Sequence, residues 1–211
     1  MKIIDISVSI DENVPVWPTA SAPQCISTFS IGKGHSANDS SIHMGLHTGT
    51  HIDAPLHFID KGKSIDELQL ETFIGPALIV HLPRVKEITA DDLDKLEIKK
   101  DVTRILFKTS NSSLWGSGSQ FKKDYVGLTV SAAKWLVKRN IKLVGVDYLS
   151  IAKFEEAIEV HKILLGEGVA LLEGINLSKV KPGIYQLICL PIRFANLEAA
   201  PVRAVLVRSL A

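Results

Sequence analysis

Apolar and polar residues alternate at the start of the chain, and this pattern predicts a first β-strand over residues 2–10. Over residues 4–10, isoleucine and valine occupy the even positions and aspartate and serine the odd ones. A period of two is typical of a strand with one buried face. Shorter apolar or alternating runs predict further strands over residues 25–31, 40–47, 77–82, 105–109, 143–146, 169–172, 185–190 and 202–207.

Three stretches have helical apolar spacing instead, over residues 89–96, 129–139 and 154–165. Thr89 and Thr129 precede two of them and are suitable N-caps. Helices interspersed among strands predict an α/β fold, with a mixed sheet or sheets covered by helices. We expect one strand-rich domain over residues 1–211, since that length suits a single large domain.

Charge and cysteine content limit the partners and the compartment. The chain has 24 lysine and arginine residues against 23 aspartate and glutamate residues, so we expect a small-molecule substrate and neither a nucleic acid nor a membrane partner. Cys25 and Cys189 are widely separated and do not suggest a disulfide framework. No apolar run approaches the roughly 20 residues that span a bilayer, and the N-terminus does not resemble a signal peptide. We therefore expect a cytoplasmic protein.

Residues 47–58, HTGTHIDAPLHF, contain the most chemically distinctive stretch of the chain. His47, His51, Asp53 and His57 all occupy odd positions, so an extended backbone would place their side chains on one face. A helix would also bring His47 and His51 together, but Thr-Gly-Thr between them and Pro55 after them disfavour helix. We interpret the stretch as a strand leading into a loop. Imidazole and carboxylate groups suit zinc, manganese or iron, although single histidines are more often structural.

Two distant residues are the best candidates for further ligands. His161 lies near the end of a predicted helix, and Glu173 closes the apolar run VALLE. A solvent-facing side chain is the alternative interpretation for each. Trp17 lies in the proline-rich loop of residues 11–23, where an indole is either a packing residue or the wall of a ligand pocket.

HTGTHIDAPLHF resembles the HxGTHxDxPxH signature of the metal-dependent cyclase family, which includes bacterial kynurenine formamidases and isatin hydrolases. The VWP context of Trp17 and the C-terminal segment PGIYQLICLPIRFANLEAAPVRAVL are also similar to that family. The resemblance implies a swivelling β/β/α-like layered fold and a homodimer or homotetramer. It further implies a divalent metal cofactor, with two zinc ions per subunit expected and manganese as the alternative.

By the same resemblance, His47, His51 and Asp53 would hold one metal and His161 a second. Asp53 and Glu173 would contribute to both, His57 would remain free for acid and base catalysis, and Trp17 would contact substrate. This division agrees with ligand chemistry, because a carboxylate has two oxygens and can bridge two cations. A metal lowers the pKa of its water from 15.7 to about 7, which favours hydrolysis.

The leading hypothesis is therefore a metal-dependent hydrolase of an amide C–N bond in a small aromatic substrate. N-formylkynurenine, which would give formate and kynurenine, is the best specific candidate. A hydrolase of a cyclic amide, imide or lactone is the first alternative, and a non-catalytic metal-binding module is the second. Asp147, at the end of a predicted strand, is a candidate support for a metal-bound histidine.

Overall fold

The computed structural model describes residues 1–116 and 120–208. Its strands are β1 (Lys2–Asp5), β2 (Gln24–Phe29), β3 (Asp39–His43), β4 (His51–Asp53), β5 (Ile74–His81), β6 (Arg104–Lys108), β7 (Leu143–Val146), β8 (Ala170–Glu173), β9 (Gly183–Ile188), β10 (Ala199–Pro201) and β11 (Val205–Arg208). Its α-helices are α1 (Ala90–Asp94), α2 (Val130–Lys138) and α3 (Ala157–Gly166). Short 3-10 helices cover Ile31–Lys33, Pro55–His57, Ile65–Glu67, Leu70–Thr72, Ser110–Ser113 and Phe154–Glu156.

Nine of these strands form one mixed sheet in the order β1-β11-β9-β5-β6-β7-β8-β4-β10. Strands β5 to β8 run parallel to one another, whereas the pairs outside them are antiparallel. In the part of the chain that the structure describes, strands β2 and β3 pair only with each other and form a separate hairpin. The mixed, strand-rich α/β class predicted from the sequence is confirmed.

Helix positions follow the capping residues. The Thr89 hydroxyl accepts a hydrogen bond from the Asp92 backbone at the start of α1, and the Asp92 carboxylate accepts one from the Thr89 backbone. Thr129 caps α2 in a similar way, by accepting from the Ala132 backbone. The stretch predicted as a third helix over residues 154–165 begins instead with a 3-10 turn and continues as α3.

Two apolar cores lie on the two faces of the sheet. One packs the helices against the parallel strands and includes Leu136 of α2, Leu164 of α3 and Val144 of β7. The other joins strands from distant positions in the sheet, including Ile52 of β4 and Leu206 of β11. Because strands from both halves of the sheet share one core, the sheet curls around it, as large twisted sheets commonly do.

Several predicted strand boundaries differ from those in the structure, and two of the differences are large. The first strand ends at Asp5, and Ser7 forms only an isolated bridge with Ile175. The strand predicted over residues 40–47 ends at His43, after which the chain turns. The strand predicted within residues 47–58 is present as β4, which begins at His51, after the turn that contains His47. The short strand β10 was not predicted, because three residues are too few to show a period. Within the described residues, no helix combines the length and the apolar character that crossing a membrane requires.

Two glycines allow the chain to pass itself closely beside β4 and β8. Gly49 and Gly174 both have positive φ, +68° and +69°. A Cβ on Gly174 would lie 2.0 Å from the Gly49 carbonyl oxygen, so any side chain there meets backbone. Thr50 secures the crossing by donating its hydroxyl to the Gly174 carbonyl over 2.6 Å. Gly49 lies two residues before His51, and Gly174 lies one residue after Glu173. The crossing therefore sets the distance between His51 and Glu173.

We expect Gly174→Ala to be much more destabilising than Gly168→Ala. Gly168 also has positive φ, +72°, but a Cβ there meets nothing within 4 Å. Gly168→Ala should therefore cost only the left-handed strain, about 1–2 kcal/mol. Gly174→Ala adds a backbone clash and should cost about 3 kcal/mol or more. Urea unfolding of both variants measures the difference, and equal losses would show that the close approach is unimportant.

Candidate metal centre

Strands β4 and β8 bring three of the candidate ligands together. His51 lies directly opposite Glu173 in their antiparallel register, and Asp53 lies two residues further along β4. Side chains two residues apart, or directly opposite, share one face of a sheet. That face is the one covered by α3, and all three side chains are buried. His51 Nε2 lies 3.3 Å from Asp53 Oδ1 and 3.5 Å from Glu173 Oε2.

His161 reaches the same point from α3. Its Nε2 lies 3.2 Å from Glu173 Oε1 and 3.8 Å from Asp53 Oδ2. The ring is 4% exposed, so the solvent-facing alternative weighed from the sequence is wrong. Glu173 is equally buried, and its Oε1 accepts a 2.6 Å hydrogen bond from the Ile151 backbone.

His47 completes the group from a turn and not from a strand. Its Nδ1 lies 2.8 Å from Asp53 Oδ1, and its ring is half-buried. Two sets of side chains could each hold a cation, namely His47, His51 and Asp53, and Asp53, His161 and Glu173. The ligand atoms within each set lie within 4.8 Å of one another. Asp53 is common to both sets.

Backbone carbonyls determine which nitrogen two of the histidines present. His51 Nδ1 lies 2.9 Å from the Gly49 carbonyl, and His161 Nδ1 lies 2.6 Å from the Ala157 carbonyl. A carbonyl only accepts, so both Nδ1 atoms carry the proton and donate it. In each neutral ring, Nε2 then carries a lone pair that points toward the carboxylates. Metal-binding histidines are commonly oriented by this kind of bond.

The hydrogen bonding of the polar atoms at the centre indicates whether a cation would fit there. Among the described residues, neither oxygen of Asp53 has a hydrogen-bond partner, and neither does His51 Nε2. Asp53 and His51 are fully buried, and burying a polar group without a partner is costly. Lone pairs on nitrogen and oxygen converging at 3–4 Å repel one another unless a positive charge lies between them. The donor set therefore fits a divalent cation.

The pKa values of these side chains show how they ionise when protons are the only cations at the centre. Burial lowers the pKa of His51, but Asp53 and Glu173 outweigh it and raise that pKa to about 10. Burial raises the pKa of the Asp53 carboxyl, but His47 and His51 outweigh it and hold that pKa well below its ordinary value. Both carboxyls therefore stay ionised, since the pKa of Glu173 is lowered as well, by His161 and His51 against its own burial.

His57 lies beside these ligands without joining either set. It ends the 3-10 helix Pro55–His57, and its ring centroid is 4.1 Å from that of His47 and 6.0 Å from that of His161. Burial, together with the nearby His47 and His161 rings, lowers its pKa despite the opposing charge of Asp53. A neutral imidazole is consequently available at neutral pH as a proton acceptor.

Trp17 lies in an aromatic cluster. Its ring stacks on Phe154 at 5.1 Å and meets Phe121 edge-on at 5.2 Å. Tyr125 and Tyr148 belong to the same cluster. Phe154 precedes α3, so the cluster and His161 are carried by one continuous segment. Within the described residues, Trp17 has no hydrogen bond or ring contact with the five candidate ligands, and its ring contacts are with Phe121 and Phe154.

One residue beside the candidate ligands was not predicted from the sequence, and another residue was predicted in the wrong role. Glu198 Oε1 lies 3.7 Å from His47 Nε2, and its place in the C-terminal segment was the only available signal. Asp147 does not support a histidine, contrary to the expectation. Its carboxylate instead accepts bonds from the backbone and hydroxyl groups of Thr109 and Ser112, at 2.6–3.0 Å. It therefore anchors the turn that follows β6.

Comparison with known protein families shows which family the chain belongs to. The Cyclase family model matches residues 4–153, which contain His47, His51, Asp53 and His57. The chain belongs to the cyclase family. Its His161 and Glu173 lie beyond the matched residues, within the longer alignments to individual relatives.

Relatives and solved structures extend this similarity over nearly the whole chain. Cyclase-like protein 1 of Arabidopsis thaliana is 39% identical, over 98% of this chain and 85% of its own length. The kynurenine formamidase of Geobacillus thermodenitrificans (strain NG80-2) is 36% identical, over 96% of each chain. A potential metal-dependent hydrolase with cyclase activity superposes with a TM-score of 0.83 and 33% identity, covering 97% of this chain and 96% of that one. An isatin hydrolase bound to thioisatinate has a TM-score of 0.84, covers 99% and 93%, and at 19% identity shares the fold. These similarities support a cyclase-family hydrolase.

We expect Asp53→Asn to abolish stabilisation by metal. In protein stripped with a chelator, added Zn²⁺ or Mn²⁺ should raise the melting temperature, because a ligand bound only by the folded state stabilises it. Asparagine keeps the shape of the side chain but removes its charge, so metal affinity should fall by more than about 100-fold. His57→Gln is the matched control and should respond as the wild type does. An unchanged response of Asp53→Asn would contradict the assignment of Asp53 as the shared ligand.

Proposed function

We propose that this chain is a metal-dependent hydrolase that cleaves the amide C–N bond of N-formylkynurenine, producing formate and kynurenine. The observation that carries the proposal is the buried Asp53 carboxylate, whose oxygens lie 2.8–3.8 Å from nitrogens of three histidines without a hydrogen bond of good geometry among the described residues. The 36% identity to a kynurenine formamidase supports the choice of substrate. A non-catalytic module would have no need for His57 beside its ligands.

Two zinc ions per subunit are the proposed cofactor, and manganese accepts the same ligands. His47, His51 and Asp53 would hold one ion, and His161, Glu173 and Asp53 the other. Glu173 has its two oxygens near different histidines, His161 and His51, which suits a second shared carboxylate. When bound, the metal supplies a Lewis acid and a water nucleophile at neutral pH.

His57 is the proposed acid and base. Its neutral imidazole would take a proton at a ring nitrogen from the attacking water, as the C–O bond forms at the formyl carbon. The same nitrogen would then return that proton to the amide nitrogen, as the C–N bond breaks and the aromatic amine departs. Atoms and charge balance, since one water and one formamide give one formate, one amine and one proton to solution.

The aromatic cluster is the proposed binding site for the substrate ring. Trp17 is only half-buried, so part of its indole remains open for stacking beyond its contact with Phe154. The walls of the cluster are apolar and aromatic, as is usual for sites that bind small aromatic molecules. Trp17 would therefore contribute to KM more than to the chemical step.

We expect metal-loaded protein to hydrolyse N-formylkynurenine, and His57→Gln to lower kcat by about 10²–10⁴-fold, as loss of a general acid–base does. Metal content should stay at the wild-type level. His81→Gln, at the exposed end of β5, is the control and should have no effect. The substrate proposal fails if metal-replete wild type is inert on formylated anilines, and the His57 assignment fails if the variant keeps near-normal turnover.

A specific observation favours the cyclic-amide alternative as the second candidate. The isatin hydrolase structure shares the fold over almost the entire chain. Opening a cyclic amide needs the same nucleophile and the same proton transfer, so only the substrate differs. Isatin is therefore the comparison substrate for the assay just described.

We also propose that the chain forms a homodimer or homotetramer. Every residue of β2 and β3 is exposed, and the hairpin carries Ile26, Phe29 and Ile42 at 53%, 49% and 52% exposure. A two-stranded hairpin is marginally stable in water by itself. A second copy of the chain packed on this hairpin would bury those apolar side chains.

Light scattering should accordingly give a multiple of the 23.1 kDa chain mass. Ile42→Lys should shift the protein toward monomer, because a buried lysine without a partner is unfavourable at an interface. Ile158→Lys, on an exposed position of α3, should leave the mass unchanged. A monomeric wild type would contradict the proposal.

A further inference from the structure

His47 differs from the other two candidate histidine ligands in what holds its ring. The Nδ1 atoms of His51 and His161 each face a backbone carbonyl of their own chain segment, at 2.9 and 2.6 Å. Within residues 1–116 and 120–208, no backbone group bonds to the His47 ring. The His47 side chain is also 32% exposed, whereas those of His51 and His161 are 0% and 5% exposed. His47 is therefore the ligand whose orientation depends most on a partner from elsewhere in the chain.

One nitrogen of His47 faces Asp53, and the other faces a second carboxylate. His47 Nδ1 lies 2.8 Å from Asp53 Oδ1, and His47 Nε2 lies 3.7 Å from Glu198 Oε1. Glu198 belongs to neither set of side chains that could hold a cation. The two nitrogens of an imidazole point in different directions, so the ring spans the gap between the two carboxylates. Glu198 thus lies on the side of His47 that faces away from Asp53.

The backbone of Glu198 is fixed relative to β4. Its carbonyl accepts a 2.9 Å hydrogen bond from the Ala54 amide, and the carbonyl of the preceding residue, Leu197, accepts one of 2.9 Å from the Ile65 amide. The following residue, Ala199, lies opposite Asp53 in the β10–β4 register. The fold therefore brings the Glu198 side chain to the same end of β4 as Asp53, from a segment about 150 residues after His47.

The Glu198 carboxylate has no competing partner. In the described part of the chain, His47 is the only basic group within 4 Å of it, and its oxygens accept no hydrogen bond. The distance of 3.7 Å to His47 Nε2 exceeds an ordinary N–H···O hydrogen bond by about 0.5–1 Å. The side chain of Glu198 is 37% exposed, so it can close that gap without displacing packed neighbours.

We infer that Glu198 is a positioning residue for His47. Its carboxylate accepts a hydrogen bond from Nε2 of His47, which leaves the lone pair of Nδ1 facing Asp53 and the ion that those two residues would share. A carboxylate on the far nitrogen of a metal-binding imidazole fixes its tautomer and orientation and makes the near nitrogen more basic. The inference rests on the proposed metal sites and adds a residue to them. It also makes Nδ1 the ligand atom of His47, whereas His51 and His161 present Nε2.

Titration of the full chain with chelator-buffered Zn²⁺ tests the inference in Glu198→Ala and Glu198→Gln. Glu198→Ala should weaken the ion beside His47 about 10–100-fold, as loss of such a partner typically does. Glu198→Gln keeps an acceptor oxygen in the same place and should recover most of that loss. The melting temperature of the metal-free protein should be unchanged in both variants, since exposed ion pairs contribute little to stability.

Glu159→Gln is the matched control. Glu159 is exposed on α3, two residues before His161, so the variant removes the same charge without removing a partner of His47. It should bind zinc as the wild type does. A loss of zinc affinity in Glu159→Gln equal to that in Glu198→Ala would overturn the inference, because it would reveal a general effect of charge. Equal losses in Glu198→Gln and Glu198→Ala would overturn it too, because the acceptor oxygen would then be unimportant.

Nitrogen-15 NMR of the histidine rings provides a readout that a purely structural role of Glu198 would not change. In zinc-loaded wild type, His47 should have a protonated Nε2 and a metal-bound Nδ1, the reverse of His51 and His161. In Glu198→Ala, the proton on Nε2 of His47 should exchange faster with solvent. A His47 ring bound to zinc through Nε2 in the wild type would contradict the inference.

Failure of the inference and failure of the proposed function give different results, because neither measurement depends on turnover. If the wild type hydrolyses N-formylkynurenine and both Glu198 variants bind zinc as the wild type does, the inference is wrong and the hydrolase stands. If Glu198→Ala weakens zinc as expected and no formamide is hydrolysed, the reaction is wrong and the role of Glu198 stands. A wild type that binds neither zinc nor manganese would overturn both.

Discussion

Two ionised carboxylates lie beneath the surface of this protein, and the rest of the site is arranged around the need to neutralise them. Asp53 is completely buried and Glu173 almost so. Removing a carboxylate from water costs several kcal/mol even after the protein relaxes. Nitrogens of three histidines lie 2.8–3.8 Å from the oxygens of Asp53, yet among the described residues neither oxygen has a hydrogen bond of good geometry. Such an arrangement is reasonable only if a stronger positive charge than a single proton occupies the centre.

Backbone contacts between distant parts of the sequence hold the carboxylates and histidines in place. The close passage of Gly174 over Gly49 sets β8 against β4. The segment from Asp147 to Ile151 then connects three features. Its first residue anchors the turn after β6, its Tyr148 carbonyl accepts from Gly174, and its Ile151 amide holds Glu173. The aromatic cluster and the metal ligands are thus supported by the same segment, which explains how a small ring could be placed next to the ligands.

Much of this could be predicted from the sequence, although part of the reasoning was wrong. The odd-position argument holds for His51 and Asp53, which do share a strand face. It fails for His47, which lies in a turn, and for His57, which ends a 3-10 helix. Those two residues reach the centre because Gly49 turns the chain before β4 and Pro55 begins a tight turn after it. The spacing in the sequence therefore identified the four residues of the site but not the backbone conformation that positions two of them.

The remaining features depend on pairings that no local pattern encodes. The alignment of His51 with Glu173 is set by the β4–β8 register, and the orientation of His161 depends on a carbonyl in its own helix. Asp147 was misassigned because its hydrogen-bond partners, Thr109 and Ser112, follow a different strand, β6. Helices α1 and α2, by contrast, were predictable because their threonine caps adjoin them in sequence.

The most direct test of the central claim is an anomalous difference map from a crystal of zinc-loaded protein, measured at the zinc absorption edge. The account predicts two peaks that both adjoin Asp53, one beside His47 and His51 and the other beside His161 and Glu173. Peaks confined to surface residues, or a centre without anomalous signal in zinc-saturated crystals, would contradict it.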